Sequence, residues 1–486
     1  MPVKDKILFW IDGDLFSFGI AKYIQDNYDC ELYSVIEISG KAKEYFQNQN
    51  TVKFEKSWFY DESKIKNPKA NLEYLKEFER KYNVNLWEIA YTERYFYKKW
   101  NKYYKFEINE ILYLMEKICR LCEEIVEVVK PKFLVIKMPG MYHQNLIYRM
   151  CRANGINVLM TIPDRFGYRS LILNGVAKFD KMEISEKNNI KRTFSELKEY
   201  VKKYDVSKQQ KEGIEKFEIL KITQMLRWFK KFFLAKEPFT NNIYSYGQNR
   251  WKVLLQGISL SIRKINRERF MKKNFIKHID KKTKFVYFPL HYEPELVLLT
   301  DTPFYTDQIQ VISNIAKSLP IDYKLYVKEH PAMKLVGWRK DSIYKEILNL
   351  LNVELVHQSI PSSEMIEKCS MVACVAGTTG LEAAFQGKCS MIFSAVIYDI
   401  LSCVHKVDNV EDIPKIIRKC LNDKVNVDDL NNYINLAEEN SFECDIFDIY
   451  STVNKLFYED GVSSNMNISD KNMEYFLNGK KMILEK

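Results

Sequence analysis

Glycine and proline are scarce, at 16 and 13 in 486 residues, which excludes collagen-like and low-complexity architecture. No apolar run reaches the roughly 18 residues a membrane-spanning helix needs, so no segment is expected to cross a bilayer. The first residues, MPVKDKILFWIDGD, hold an apolar stretch of only five and predict no signal peptide. Ten cysteines are too few to frame a chain of this length with disulfides. Cys369, Cys374, Cys389 and Cys403 lie in apolar surroundings and read as small core residues in a reducing compartment. Cys119-Arg-Leu-Cys122 has the spacing of a zinc or redox pair. It falls inside the helical run Glu110 to Val129, however, and has no second CxxC to complete it. The expected location is cytoplasmic, peripheral to the inner face of the cell membrane.

What is present is a soluble, globular composition: 46% hydrophobic and 28% charged residues. At roughly 100–200 residues per domain, the length implies two or three domains. The net charge of +10 is unevenly spread. From Ile190 to Lys284 there are 25 Lys/Arg against 9 Asp/Glu, and the rest of the chain is slightly acidic, 49 against 55. A basic region of this kind suits an anionic surface. Within it, Arg227-Trp-Phe-Lys-Lys-Phe-Phe-Leu234 interleaves rings with cations, which fits an anionic bilayer. The same pattern can stack on single-stranded nucleic acid. No nucleic-acid-binding motif accompanies it, and the expectation is membrane rather than nucleic acid. A buried aromatic face with exposed lysines explains it as well.

Strand and helix alternate at both ends of the chain. Lys6–Ile11, Glu31–Ile38, Lys132–Met138 and Ile156–Ile162 read as strands, with helices over Phe16–Asn27 and Gln144–Ala153 and longer ones over Glu73–Phe96 and Glu107–Lys130. From about 185 to 282 apolar residues recur at helical spacing with no strand alternation. The α/β pattern returns with strands at Phe285–Pro289, Tyr323–Lys328, Val353–Val356, Met371–Val375 and Ser390–Phe393. The expected organisation is an N-terminal α/β domain over 1–184 and a basic helical insert over 185–282. A second α/β domain follows over 283–425, with returning helices over 426–486. The fold class is α/β, two Rossmann-like domains facing a cleft.

Four features of the second α/β domain fall at strand carboxyl ends. Lys328-Glu329-His330-Pro331 ends a strand and offers a donor to a phosphate oxygen. Ser362 and Ser363 open a helix. Gly377-Thr378-Thr379-Gly380 lies between strand and helix, where its N–H groups can cradle phosphate. Glu382 follows, a carboxylate able to accept from ribose hydroxyls. A helix cap and a tight turn are the plain explanations of the serines and glycines. No Walker or GxGxxG fingerprint occurs.

Taken together, Tyr326-Val-Lys-Glu-His-Pro331, Ser362-Ser363, Val375-Ala-Gly-Thr-Thr-Gly-Leu-Glu-Ala383 and Gly387-Lys388 resemble bacterial capsule and surface-polysaccharide biosynthesis proteins, including the Kdo transferases of capsule assembly. They also resemble bacterial sialyltransferases, whose His-Pro and Ser-Ser motifs hold the phosphate of a CMP-sugar. The resemblance covers roughly Phe285 to Val404. It implies an inverting, metal-independent GT-B glycosyltransferase that needs no cofactor, takes a nucleotide-sugar donor, and acts on a glycan or lipid-linked glycan acceptor. It assigns the donor phosphate to His330, Ser362 and Ser363 and the phosphate and ribose to the Gly377–Gly380 loop and Glu382; Lys328 precedes His330 in the same motif.

An inverting transfer needs a general base. The acidic-acidic-Gly motif of the sialyltransferases is missing, and Asp12-Gly-Asp14 is the nearest equivalent. Asp14 is the first candidate and Asp12 the second, followed by His143, Glu93, Asp164 and Glu293. Asp12-Gly-Asp14 also fits the metal motif of GT-A transferases and the first motif of HAD phosphatases. GT-A places its motif after several strands, and the later HAD motifs are absent. The remaining alternatives are a UDP-sugar or CDP-glycerol donor, a GT-B-like sugar epimerase, and a non-catalytic nucleotide- or glycan-binding module.

Overall fold

The computed structural model describes residues 4–12, 16–37, 41–60, 65, 68–97, 99–164, 169–203, 245–294, 296–444, 478–479, 481 and 483. Asp14 and the Arg227–Leu234 segment lie outside the described residues. The chain divides into two compact units: Met1–Ile184, Phe239–Gln248 and Leu436–Lys486 form the first, and Ser185–Pro238 with Asn249–Asn435 the second.

Unit 1 runs β1 (Asp5–Ile11), α1 (Phe16–Asn27), β2 (Cys30–Ile36), α2 (Lys41–Asn48), β3 (Lys56–Phe59), α3 (Leu72–Tyr82), α4 (Leu86–Thr92), α5 (Ile108–Val129), β4 (Phe133–Lys137), α6 (Tyr142–Ala153), β5 (Asn157–Pro163) and β6 (Arg169–Leu173). The chain's last described strand, Ser441–Glu443 (β13), completes its sheet in the order β13-β6-β5-β4-β1-β2-β3. The first five strands are parallel, and β6 and β13 are antiparallel additions. β1 is central and apolar throughout because both its faces are covered. Ile7, Phe9 and Ile11 pack with Phe18 and Phe442, whereas Leu8 and Trp10 pack with residues of α3 to α6 such as Phe78, Ile118 and Leu146.

The single helix expected over Glu73–Phe96 is broken. Asn83 takes a left-handed φ of 48° and ends α3, and Asn85 starts α4 by accepting from Glu88 N at 3.0 Å. Two asparagines that favour caps override an apolar period that runs through them. The expected Glu107–Lys130 helix holds as α5, opened by a Glu107–Glu110 capping box. The CxxC pair lies buried within it with both thiols free, and burial pushes both thiols up in pKa.

Unit 2 runs α7 (Phe194–Lys203), α8 (Arg250–Asn274), β7 (Lys284–Pro289), α9 (Leu296–Thr300), α10 (Gln308–Ser318), β8 (Tyr323–Lys328), α11 (Asp341–Leu348), β9 (Val353–Val356), α12 (Ser362–Lys368), β10 (Met371–Cys374), α13 (Thr379–Phe385), β11 (Ser390–Ile392), β12 (Val404–Lys406), α14 (Ile413–Asn422) and α15 (Val427–Glu439). Its sheet has the order β12-β11-β10-β7-β8-β9, with every pairing parallel. The first described part of the expected insert is sewn to this unit. Arg192 donates through its backbone N–H to Asn431 and through its guanidinium to Asn435, both at 2.8 Å, and Asn435 donates to the Ile190 carbonyl at 3.0 Å. The chain re-enters unit 1 at Leu436, within α15. The short strands β3, β6, β12 and β13 were not expected from the sequence. At three to five residues each, they are too short to display a period of two.

Candidate functional site

In an open parallel sheet, ligands bind beyond the strand carboxyl ends, where the strand order reverses. In unit 2 that point lies between β7 and β10. The loop after β7 supplies His291, the loop after β8 supplies His330, and the loop after β10 carries Gly377.

Lys328 is the last residue of β8 and is buried, with Nζ donating to Ser362 Oγ at 3.1 Å. The hydroxyl at the start of α12 is thus one contact of a buried cation. Ser363 is exposed one residue on. His330 caps the short helix that Pro331 opens: Nδ1 accepts from Ala332 N at 3.2 Å. An accepting Nδ1 in a neutral ring leaves the proton on Nε2, which makes His330 a donor on its far side.

The glycine loop is not a uniform cradle. The Gly377 carbonyl accepts from Tyr398 Oη at 2.5 Å, and a Cβ at Gly377 would stand in ordinary contact, 3.4 Å from His291 Cε1. Gly380 is buried in α13, and a Cβ there would stand 2.9 Å from Tyr398 Oη and 3.2 Å from Cys374 Sγ. The lack of a side chain at Gly380 is thus a packing requirement. Thr378 precedes α13 as its N-cap residue without a side-chain cap contact. Thr378 Oγ1 donates to Glu382 Oε1 at 3.0 Å, so this carboxylate braces the loop it follows.

Two residues the sequence reading passed over tie these loops together. His291 is buried, with Nε2 accepting from Ala376 N at 3.3 Å, which fixes the β7 loop against the β10 loop. Arg339 is buried beneath the β7 and β8 loops. It pairs with Glu293 at 2.6 Å and Glu329 at 2.9 Å and donates to the His291 carbonyl. Tyr344 Oη adds a bond to Glu329 at 2.8 Å, and Glu329 accepts from His330 N at 2.8 Å. Burial pushes the Glu329 carboxyl up and outweighs the pull of Arg339. For Arg339, burial opposes the charge, but the two carboxylates more than offset it and hold the guanidinium above its ordinary value. Glu293, a candidate base by sequence, is thereby committed to an ion pair. His291 was detectable in principle, as a histidine two residues beyond the first strand of a doubly wound unit. Arg339 was not, because nothing in Gly337-Trp-Arg339 marks it.

Unit 1 has its own switch point between β1 and β4. Asp12, immediately after β1, pairs with Lys137 at the end of β4 at 2.6 Å. Next to it, Glu37 accepts from Trp10 Nε1 and Gln144 Nε2, both at 2.8 Å, and lies 2.9 Å from His143 Nε2. Burial works against the Glu37 charge, but His143, Trp10 and Gln144 outweigh it and hold this carboxyl below its usual range. His143 has no exposed surface. Its ring lies 5.6 Å from that of Trp10 and 4.5 Å from that of Tyr60. Glu93 is buried and caps the next turn by accepting from Tyr95 N at 3.1 Å, and Asp164 is buried at the end of β5. Among the described residues, no three His, Cys, Asp or Glu side chains are grouped as metal ligands.

The family comparison falls on the loops of unit 2. Residues 200–405 match the family model described as capsule polysaccharide biosynthesis protein. This segment, less than half of the chain, is similar to that family. The match runs from α7 to β12 and so takes in every strand of the unit 2 sheet. No curated protein matches the sequence. Among solved structures, KpsC of Thermosulfurimonas dismutans, a β-Kdo 2,7 transferase, is 12% identical, covering 83% of this chain and 98% of its own at a TM-score of 0.31. The S. aureus MnaA–UDP structure is 12% identical over 93% of this chain and 96% of its own, with a TM-score of 0.24. The UDP-GlcNAc 2-epimerase of Methanocaldococcus jannaschii, with UDP-GlcNAc and UDP, is 9% identical over 89% and 99%, with a TM-score of 0.26. TM-scores this low give the likenesses no weight.

Proposed function

We propose that the protein is a glycosyltransferase of capsular or surface polysaccharide synthesis, and that the edge of unit 2 formed by Lys328, His330, Ser362 and the Gly377 loop takes the phosphate of a nucleotide-activated sugar. The observation that carries this reading is the contact of Lys328 with Ser362, two residues from a histidine whose Nε2 is a donor, all within the family-matched segment. A buried ammonium, a hydroxyl and an N–H donor together suit an anion, and charge-assisted bonds to phosphate are among the strongest available.

The donor we assign is a CMP-sugar, and the transfer is inverting and metal-independent. The acceptor hydroxyl loses its proton to a base as its oxygen bonds the anomeric carbon. The anomeric carbon–oxygen bond to phosphate breaks, and the electron pair leaves with CMP. Lys328 and His330 stabilise the charge that builds on the leaving phosphate. The base is a carboxylate following β1, Asp14 first and Asp12 second. The acceptor is a glycan or lipid-linked glycan, and the protein works from the cytoplasmic side.

The Asp12–Lys137 ion pair favours a second reading, in which the fold binds a nucleotide or glycan without transfer. A donor-hydrolysis assay separates the two, because a transferase leaks sugar to water. Release of CMP from CMP-Kdo or CMP-sialic acid supports the assignment. Release from UDP-sugars or CDP-glycerol alone moves the donor class, and no release from any of them leaves the binding module.

A further inference from the structure

Helix α8 has two unlike faces. One docks on unit 2: Leu260 lies against Gly337, where a Cβ would come within 2.7 Å of its Cδ1. On the same side, Arg267 donates to the carbonyls of Gly337 and Trp338, both at 2.6 Å, and Met271 is buried. The opposite face carries Leu255, Ile258, Ile262 and Ile265, between 51% and 63% exposed, and Trp251 extends the line one turn earlier at 68%. The alternating steps of three and four keep these side chains on one stripe, and at 1.5 Å per residue the stripe is about 21 Å long. Scattered exposed apolar residues are ordinary, but a continuous stripe marks a contact surface.

Charge selects the occupant. α8 holds eight Lys/Arg and a single acid, Glu268. A second copy laid along the stripe would set cation against cation with Glu268 alone to pair. The stripe also spans about two heptads, and a stable coiled coil takes roughly three to four. An anionic lipid surface accepts both the apolar line and the cations. Trp251 and Lys252 lie at one end of the stripe, and Arg269, Lys272 and Lys273 lie exposed at the other. No helix among the described residues is long and apolar enough to cross a membrane, and a stripe parallel to the helix axis suits a helix lying in the plane of the headgroups.

We propose that α8 docks the protein on an anionic bilayer, its Leu255–Ile265 stripe entering the boundary between headgroups and acyl chains. The test is co-sedimentation of the full chain with phosphatidylcholine vesicles, with and without phosphatidylglycerol. The expected result is binding that requires phosphatidylglycerol, weakens as salt rises, and falls about tenfold or more in Ile258→Glu/Ile262→Glu with the thermal midpoint unchanged. Ile258→Ser/Ile262→Ser gives a milder loss in the same direction and guards against a folding defect in the first variant. Equal partitioning of wild type and both variants overturns the proposal, as does binding that ignores phosphatidylglycerol. A concentration-dependent dimer that the variants abolish, without vesicle binding, would assign the stripe to a second copy and also overturn it.

Discussion

Lys328 Nζ donates to Ser362 Oγ across 3.1 Å, joining a strand end to a helix start thirty-four residues later. The bond gives a buried ammonium a neutral partner. Lys328→Met keeps the stem and removes the charge. Nucleotide affinity should fall about ten- to hundredfold in a variant that still folds. Isothermal titration beside a thermal melt checks both. Equal affinity in a folded variant would remove Lys328 from the site.

His330 has two separable jobs, because Nδ1 caps a turn and the Nε2 proton is the donor assigned to the phosphate. Asparagine can accept at the cap but offers nothing at the Nε2 position. His330→Asn should melt with the wild type and bind nucleotide more weakly. His330→Ala should lose both, with the cap worth about 1 kcal/mol. If Asn and Ala lose the same stability, the cap is not what Nδ1 provides.

The two glycines of the 377–380 loop should respond oppositely. Gly380→Ala drives a Cβ to 2.9 Å from Tyr398 Oη and should destabilise by about 1–3 kcal/mol. Gly377→Ala comes no nearer than 3.4 Å to His291, an ordinary contact. It should leave the melt nearly unchanged and act on nucleotide affinity. A stable Gly380→Ala would contradict the packing role given to that residue.

Much of this was legible in the sequence. Apolar runs such as KILFWI and YKLYVK mark central parallel strands because both faces are covered. Lys328, His330, Ser362 and Gly377 do stand at strand ends or helix starts, where the sequence pattern puts them. What stayed hidden has physical causes. Asn83 and Asn85 cut a helix that the apolar period carries through. Gly380 looks like a phosphate-loop glycine, but it is set by Tyr398, eighteen residues away. Arg339 and Glu37 draw their importance from partners distant in sequence, and no spacing rule points to them.

Glu37 makes stability depend on acid. Its carboxyl is held below its usual range, so its contribution is complete above the unfolded-chain value near about 4.3 and is lost as pH falls through the lower folded value. Glu37→Gln should cost roughly 3 kcal/mol near neutrality. Its gap to wild type should narrow on acidification. Urea unfolding at about pH 7 and about pH 4 measures this, and a gap that widens in acid would reverse the sign assigned to Glu37.

The central claim is that the loops after β8 and β10 hold a nucleotide phosphate. The most direct measurement is calorimetric titration of CMP, CDP, UDP and GDP into wild type and His330→Asn. The account predicts that CMP binds wild type and binds the variant about ten- to hundredfold more weakly, at an unchanged melting temperature. Wild type that binds none of the four, or a variant that binds CMP as tightly as wild type, would contradict it.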